Sequence, residues 1–210
     1  MTAGLSAGQP LTRVIQSEVV RAENLEDAMS VIQECFSRED DVRSARAAYE
    51  RFISGEYVYD SEFSGTKVEL ITYSLYRVDG RPAAVSGAYR LLNDPDRLYM
   101  GWLGSPEFRK TNLPDVRPLS EIILDDTIAL ALQRGATAVA AVAENAESNQ
   151  NTHRYYERHG FKIERIFERN GEIDRLYVLG VPQGARVWLA KVRNSSPKTT
   201  RKILARSNLN

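Results

Sequence analysis

The run ATAVAAVA at 136–143 is the feature that most constrains the fold of this chain. It is short, uncharged and apolar apart from Thr137, without the alternation of a half-solvated strand. Such a run reads as a strand covered on both faces and parallel to a neighbour. Helical segments flank it. Pro118 suits the first position of a helix running to Gln133, and Gly135 ends it. Leu124, Ile128, Ala131 and Leu132 form the expected inner stripe of that helix, and Glu121, Asp125, Ala129 and Gln133 its outer face. A second helix is expected over about 148–159, stopped by Gly160.

The rest of the chain supplies strands and two more helices. Residues 14–22 read as a first strand. Asn24 caps a helix whose stripe is Leu25, Ala28, Met29, Ile32, Cys35 and Phe36. Asp40 or Asp41 caps the next, with Ala45, Ala48, Tyr49, Phe52 and Ile53 inward. The β-runs 68–78 and 83–92 meet across Asp79-Gly80, a strong hairpin signal. Asn93 to Asp96 turn the chain into a third run, 97–104, and a longer loop follows to about Arg117. Runs on either side of Asn170-Gly171 form a last hairpin. The order β-α-α-β-β-β-α-β-α-β-β gives an α/β (α+β) fold: a mostly antiparallel sheet flanked by helices, with one central helix crossover.

Residues 1–13 read as a loose tail, 14–182 as the folded domain, and 183–210 as a basic extension. From Arg186 onward there are seven Lys/Arg and no Asp/Glu. VWLAKV at 187–192 is an added strand or a docking segment. Over the whole chain 28 basic and 28 acidic side chains balance, which argues against nucleic-acid binding by the domain. One cysteine and two histidines leave no Cys-rich zinc site, and no metal is expected. Cys35 falls in a helical stripe and reads as core filler. No apolar run of membrane-spanning length and no signal-peptide pattern occurs, so a cytoplasmic location is the expectation.

The chemistry concentrates in VAENAESNQNTHRYYERHGFKIE, 142–164. Asn149 stands seven before Tyr156, and Tyr156 four before Gly160-Phe161. This block resembles the final conserved block of the GNAT superfamily of acyl-CoA N-acyltransferases, and the element order is similar over roughly 14–180. The resemblance implies a mixed sheet with a parallel, splayed central strand pair, 98–104 with 136–143. It implies acetyl-CoA or another acyl-CoA as co-substrate and a small-molecule or peptide amine as acceptor. The amine would attack the thioester directly. Tyr156 would be the general acid that protonates the departing thiolate, a role open to a phenol. Asn149 would bond the pantetheine or orient the loop; a helix N-cap is its plainer role. Backbone groups at Leu103-Gly104 would hold and polarise the thioester carbonyl. The plainer reading of that strand end is a bulge at Gly101 or Gly104.

The chain departs from the family at the pyrophosphate loop. A Gly-x-Gly turn at a helix start is expected, yet SPEFRKTNLPDVRPLSEIIL stands there. Pro118 and Ser120 occupy the glycine positions, and Ser120 joins Arg109 and Arg117 as the candidate phosphate-binding residues, with Lys110 alongside. This departure keeps two alternatives open: an acyl carrier protein as donor, and a non-catalytic binding module. Glu69, Glu107, Glu121 and Glu144 are candidate bases by position, as is a water chain. His153 and His159 read as packed or helix-end residues. The resemblance places the acceptor among aromatic residues, with Tyr73, Tyr89 and Trp102 as substrate candidates beside Tyr49, Phe52 and Tyr76; core packing is their plainer role. A homodimer through the late strands is a further expectation, and neither membrane nor nucleic acid is expected as partner.

Overall fold

The computed structural model describes residues 14–61, 65–106, 118–169 and 171–181. Among these residues eight strands and four α-helices follow one another: β1 (Ile15–Val19), α1 (Leu25–Cys35), α2 (Glu39–Ser54), β2 (Val58–Ser61), β3 (Thr66–Val78), β4 (Arg81–Leu91), β5 (Asp94–Gly104), α3 (Leu119–Gln133), β6 (Ala138–Glu144), α4 (Gln150–Arg158), β7 (Lys162–Arg169) and β8 (Glu172–Gly180). The strands form one sheet in the order β1-β3-β4-β5-β6-β8-β7, with β2 also paired to β3. Every pairing is antiparallel except β5 with β6.

The β3–β4 turn explains the meander's tightness. Asp79 and Gly80 both take positive φ, 52° and 80°, as a two-residue turn matched to strand twist demands. Two layers of helix enclose the sheet. Helices α3 and α4 cover one face, where Leu124, Ile128, Tyr156 and Phe161 pack on Leu98, Met100, Val139, Tyr177 and Leu179. Helices α1 and α2 cover the other face over β3 and β4, burying Met29, Ile32, Ala45, Ala48 and Tyr49 against Leu70, Tyr73, Leu75 and Val85. One ion pair with two hydrogen bonds from Arg46 to Glu26, at 2.8 and 2.9 Å, ties α1 to α2.

Several local expectations change. Strand β2 was not expected; it is four residues long and depends on pairing with Thr66–Glu69. The β4–β5 turn is Leu92-Asn93, because Asp94 already pairs with Leu91. The first strand is shorter than 14–22, ending at Val19, and α2 begins at Glu39 behind Arg38 rather than behind an aspartate. Asn24 stands at the start of α1, but its side chain turns back, accepting from Arg21 N at 2.7 Å and donating to Val19 O at 3.1 Å. Pro118 precedes α3 with extended ψ instead of opening its first turn. On α3 the inner stripe is rotated: Leu132 is 55% exposed, while Asp125 is buried. Helix α4 lies over the expected outer face, and Tyr155 feels the charge of Asp125. Among the described residues, no helix is long and apolar enough to cross a membrane. The segment 187–192 and both termini lie outside the described residues.

Candidate active site

The centre of the sheet comes apart at one end. β5 and β6 pair from Arg97–Ala138 to Met100–Ala141 and no further, although β5 runs on to Gly104 and β6 to Glu144. The cause lies on the other side of β5. Gly87 pairs with Gly101 and Val85 with Gly104, so three steps of β5 answer two of β4. Trp102 carries the irregularity, with φ 48°. A bulge bends its strand and raises its twist, which carries β5 away from β6. The left-handed backbone costs about 1–3 kcal/mol, and the edge-on packing of the Trp102 ring on Phe36 at 5.5 Å helps to hold it. Beyond Met100, β5 has β4 on one side and, among the described residues, no paired strand on the other. Peptide groups on that side are left for another partner.

On the α3/α4 face, Tyr156 stands by this parting. It is buried, with its ring 5.1 Å from both Tyr177 and Phe161, and it shares a cluster with Met100, Ala141 and Leu103. Its hydroxyl makes no hydrogen bond to any described residue. Burial, and then the neighbouring Tyr177, push its pKa well above the ordinary phenol value, so it holds its proton at neutral pH. Tyr155 points elsewhere and donates to the Ser120 carbonyl at 2.7 Å, which locks α4 to the first turn of α3. No side chain among the described residues caps α3. Asn149 donates to the Glu144 carbonyl at 3.1 Å, pinning the end of β6 to the start of α4. His153 is buried beneath α4 with Nδ1 3.0 Å from the Tyr177 hydroxyl; burial, helped by Arg175, lowers its pKa and keeps it neutral.

The opposite face carries carboxylates. Glu144 pairs in register with Asp174 on β8. Asp174 is fully buried, and its Oδ2 lies 2.6 Å from Arg169 Nε. Burial raises its pKa against the pull of Arg169. Above them Arg38, between α1 and α2, pairs with Glu172 at the start of β8.

No protein-family model matches the chain, and no curated protein matches its sequence. Solved structures do match. A protein assigned to the GNAT acetyltransferases from Desulfovibrio desulfuricans superposes with a TM-score of 0.63 at 16% identity, covering 80% of this chain and 99% of that one. FdhC, a nucleotide-linked sugar GNAT, gives 0.59 at 13% identity over 88% and 96%. The PaiA N-acetyltransferase of Thermoplasma acidophilum, solved with coenzyme A, gives 0.54 at 12% identity over 79% and 98%. The chain has the GNAT fold.

Within the GNAT fold the expected site residues fall as follows. Leu103, Gly104, Tyr156 and Asn149 all border the parting, while Ser120 lies at the start of α3 with its carbonyl engaged by Tyr155. Arg109 and Arg117, with Glu107 and Lys110, lie outside the described residues. The bulge expected at Gly101 or Gly104 sits between them, on Trp102. Gly104 serves close packing, since a Cβ there would lie 2.8 Å from Cys35 Sγ. Cys35 is half-buried and packs against the core cluster under α1 and α2, a filler at the edge of the core. Tyr73 is buried against Tyr49 and Phe52 with its ring over Gly87. Tyr89 is half-buried, stacked on Tyr99 at 5.4 Å, and burial pushes its hydroxyl pKa to about 12. Of the candidate bases, Glu69 pairs with Arg90 at 3.6 Å and Glu121 approaches His159 at 3.6 Å; Glu144 ends β6 at the parting. Asp174 was missed. Strand parity carries its signal, because it shares a face with Leu176 and Val178.

Among the described residues, no group of three His, Cys, Asp or Glu side chains is placed to hold a metal.

Proposed function

We propose that this protein transfers an acetyl or other acyl group from acyl-CoA to a primary amine by direct attack. The observation that carries this reading is the parting of β5 from β6 after Met100–Ala141, with Tyr156 buried and protonated beside it. Acyl-CoA is a substrate here. Its pantetheine arm is itself a chain of amides and fits a gap edged by unpaired strand backbone. Leu103 and Gly104 would offer N–H groups to the thioester carbonyl, stabilising the oxyanion that forms on attack. Tyr156 would protonate the departing thiolate, and its raised pKa keeps the proton available for that step. Asn149 holds the Glu144 carbonyl and so sets the far wall of the gap. The donor's phosphates would meet the start of α3, with Arg109, Arg117 and Ser120 as their contacts.

The test is calorimetric titration of acetyl-CoA, CoA and 3′-dephospho-CoA, followed by thiol release in the presence of primary amines. The reading expects saturable acetyl-CoA binding and amine-dependent thiol release. A folded protein that binds no acyl-CoA and releases no thiol would refute it. Acyl-carrier-protein thioesters, run alongside, separate a different donor from an absent activity.

A further inference from the structure

The last hairpin shows apolar side chains on a face that α4 covers only in part. Residues paired across an antiparallel ladder share a face. Ile163 pairs with Tyr177, Ile166 with Arg175, and Glu168 with Ile173. Tyr177 is fully buried under α4, where its hydroxyl meets His153, so all three rows lie on the α3/α4 face. Ile163, Ile166 and Ile173 are nevertheless 42%, 58% and 52% exposed. They stand in three successive rows, close enough along and across the strands to form one patch. β7 is also the last strand of the sheet, and among the described residues its outer edge has no strand partner. Exposed apolar surface beside an open edge is a liability unless something covers it.

The chain itself supplies a cover of the right reach. The described residues end at Val181, whose N–H donates to the Thr137 carbonyl at 2.9 Å. Val181 lies four residues past Tyr177, about 13 Å along the strand from the Ile163 row. The six steps from 181 to 187 span up to about 20 Å, enough to bring residue 187 back to that row. The apolar run VWLAKV begins there, at 187–192. Extended, it is about 20 Å long, and the three rows occupy about 13 Å. Charge agrees with this direction. Glu168 shares the last row with Ile173, is exposed, and makes no ion pair or hydrogen bond among the described residues. Lys191 and Arg193 stand at the end of the run that would reach it. A second copy fits the edge less well. Two-fold pairing of β7 with itself about Ile166 sets Glu164 against Glu168, and about Phe167 it sets Arg165 against Arg169. Like charges directly opposite destabilise a ladder.

We infer that the patch of Ile163, Ile166 and Ile173 is the docking surface for this chain's own segment 187–192. The segment runs from the Ile163 row toward the hairpin tip, with Trp188 and Leu189 on the isoleucines and Lys191 beside Glu168. The inference is independent of the acyltransfer reading, because it concerns only the outer end of the sheet.

Trp188 is the reporter. Its emission is the difference between the full-length wild-type chain and Trp188→Phe, measured with acrylamide quenching, and light scattering gives the mass. In the wild type the Trp188 emission should be blue-shifted from its position in urea and shielded from acrylamide. Ile166→Asp and Ile173→Asp, both at exposed positions, should each remove the shift and the shielding, with far-ultraviolet circular dichroism and mass unchanged. Glu168→Lys should weaken the shielding, and adding Lys191→Glu should restore it. A Trp188 as open to acrylamide in the native protein as in urea would overturn the inference. So would shielding indifferent to both aspartate variants and to the charge reversal. A dimer that Ile166→Asp dissociates would put a second copy on the patch and overturn it as well.

Discussion

Replacing Gly104 by alanine probes the packing that sets the parting of β5 and β6. A Cβ at Gly104 would lie 2.8 Å from Cys35 Sγ, 3.1 Å from Cys35 Cβ and 3.6 Å from Phe36 Cε2. Rotating the thiol away relieves only the first contact. The second belongs to the last residue of α1, whose end is fixed by the Phe36 N–H to Ile32 O bond at 2.9 Å and by the Phe36 ring against Trp102. Overpacking of this kind costs about 1–3 kcal/mol. Taking about 2 kcal/mol, a domain of this size should lose roughly 4–8 °C in Tm. If the Gly104 amide holds the thioester as proposed, displacing it should cost more in turnover than in stability, since a shift of about 1 Å lowers rate on the order of 100-fold. The assay is urea unfolding of Gly104→Ala, Cys35→Ala and the double variant, with thiol release measured on each. Cys35→Ala removes Sγ but keeps Cβ, so the double variant should recover about 1 kcal/mol relative to additivity. Strict additivity, or an unchanged midpoint for Gly104→Ala, would refute the contact and the placement of Gly104 that depends on it.

Gly87→Ala should be worse: its Cβ would lie 2.3 Å from Tyr73 Cε1 and 2.9 Å from the Gly101 carbonyl, so a loss of about 3 kcal/mol or outright failure to fold is expected on urea unfolding. Tyr156→Phe should lower kcat on the order of 100-fold with donor affinity changed by no more than about threefold, and equal turnover would remove its acid role. His153, buried and held below its ordinary pKa, binds fewer protons folded than unfolded. Its stabilising contribution is complete above about pH 6.5 and is lost as pH falls through the lowered value. Comparing urea midpoints of wild type and His153→Gln across that range should show a flatter slope in the variant, and identical slopes would contradict it. Asp174, whose pKa is raised, has the opposite slope but is present in both chains.

The legible parts of the fold were those with local causes. Asp79-Gly80 announced its turn because both residues tolerate left-handed backbone, and ATAVAAVA announced a doubly covered strand because charged residues are missing. β2 was not legible: its four residues alternate in exposure and pair only through β3, a partner that lies beyond a turn. The helical stripe of α3 failed at Leu132 and Asp125 because α4 covers a face that periodicity alone assigns to water. In the candidate site, Tyr156 and Asn149 could be located by spacing along one helix. The Trp102 bulge could not, since its left-handed backbone falls on a residue type with no preference for it. Nor could the Glu144–Asp174 pair, which exists only through the β6/β8 register.

The short parallel ladder has a consequence for how the molecule breathes. Only four residue pairs join the meander β1–β5 to the unit β6-β8-β7 within the sheet. Backbone amides on either side of this seam should exchange with solvent in two cooperative blocks, and the blocks should separate before either melts. A ligand lodged in the parting touches both blocks at once, acting as a rivet that makes them open together. Slowed hydrogen exchange should therefore reach β7 and β3, far from any contact with the ligand, because binding to the joined state lowers the population in which the halves have come apart.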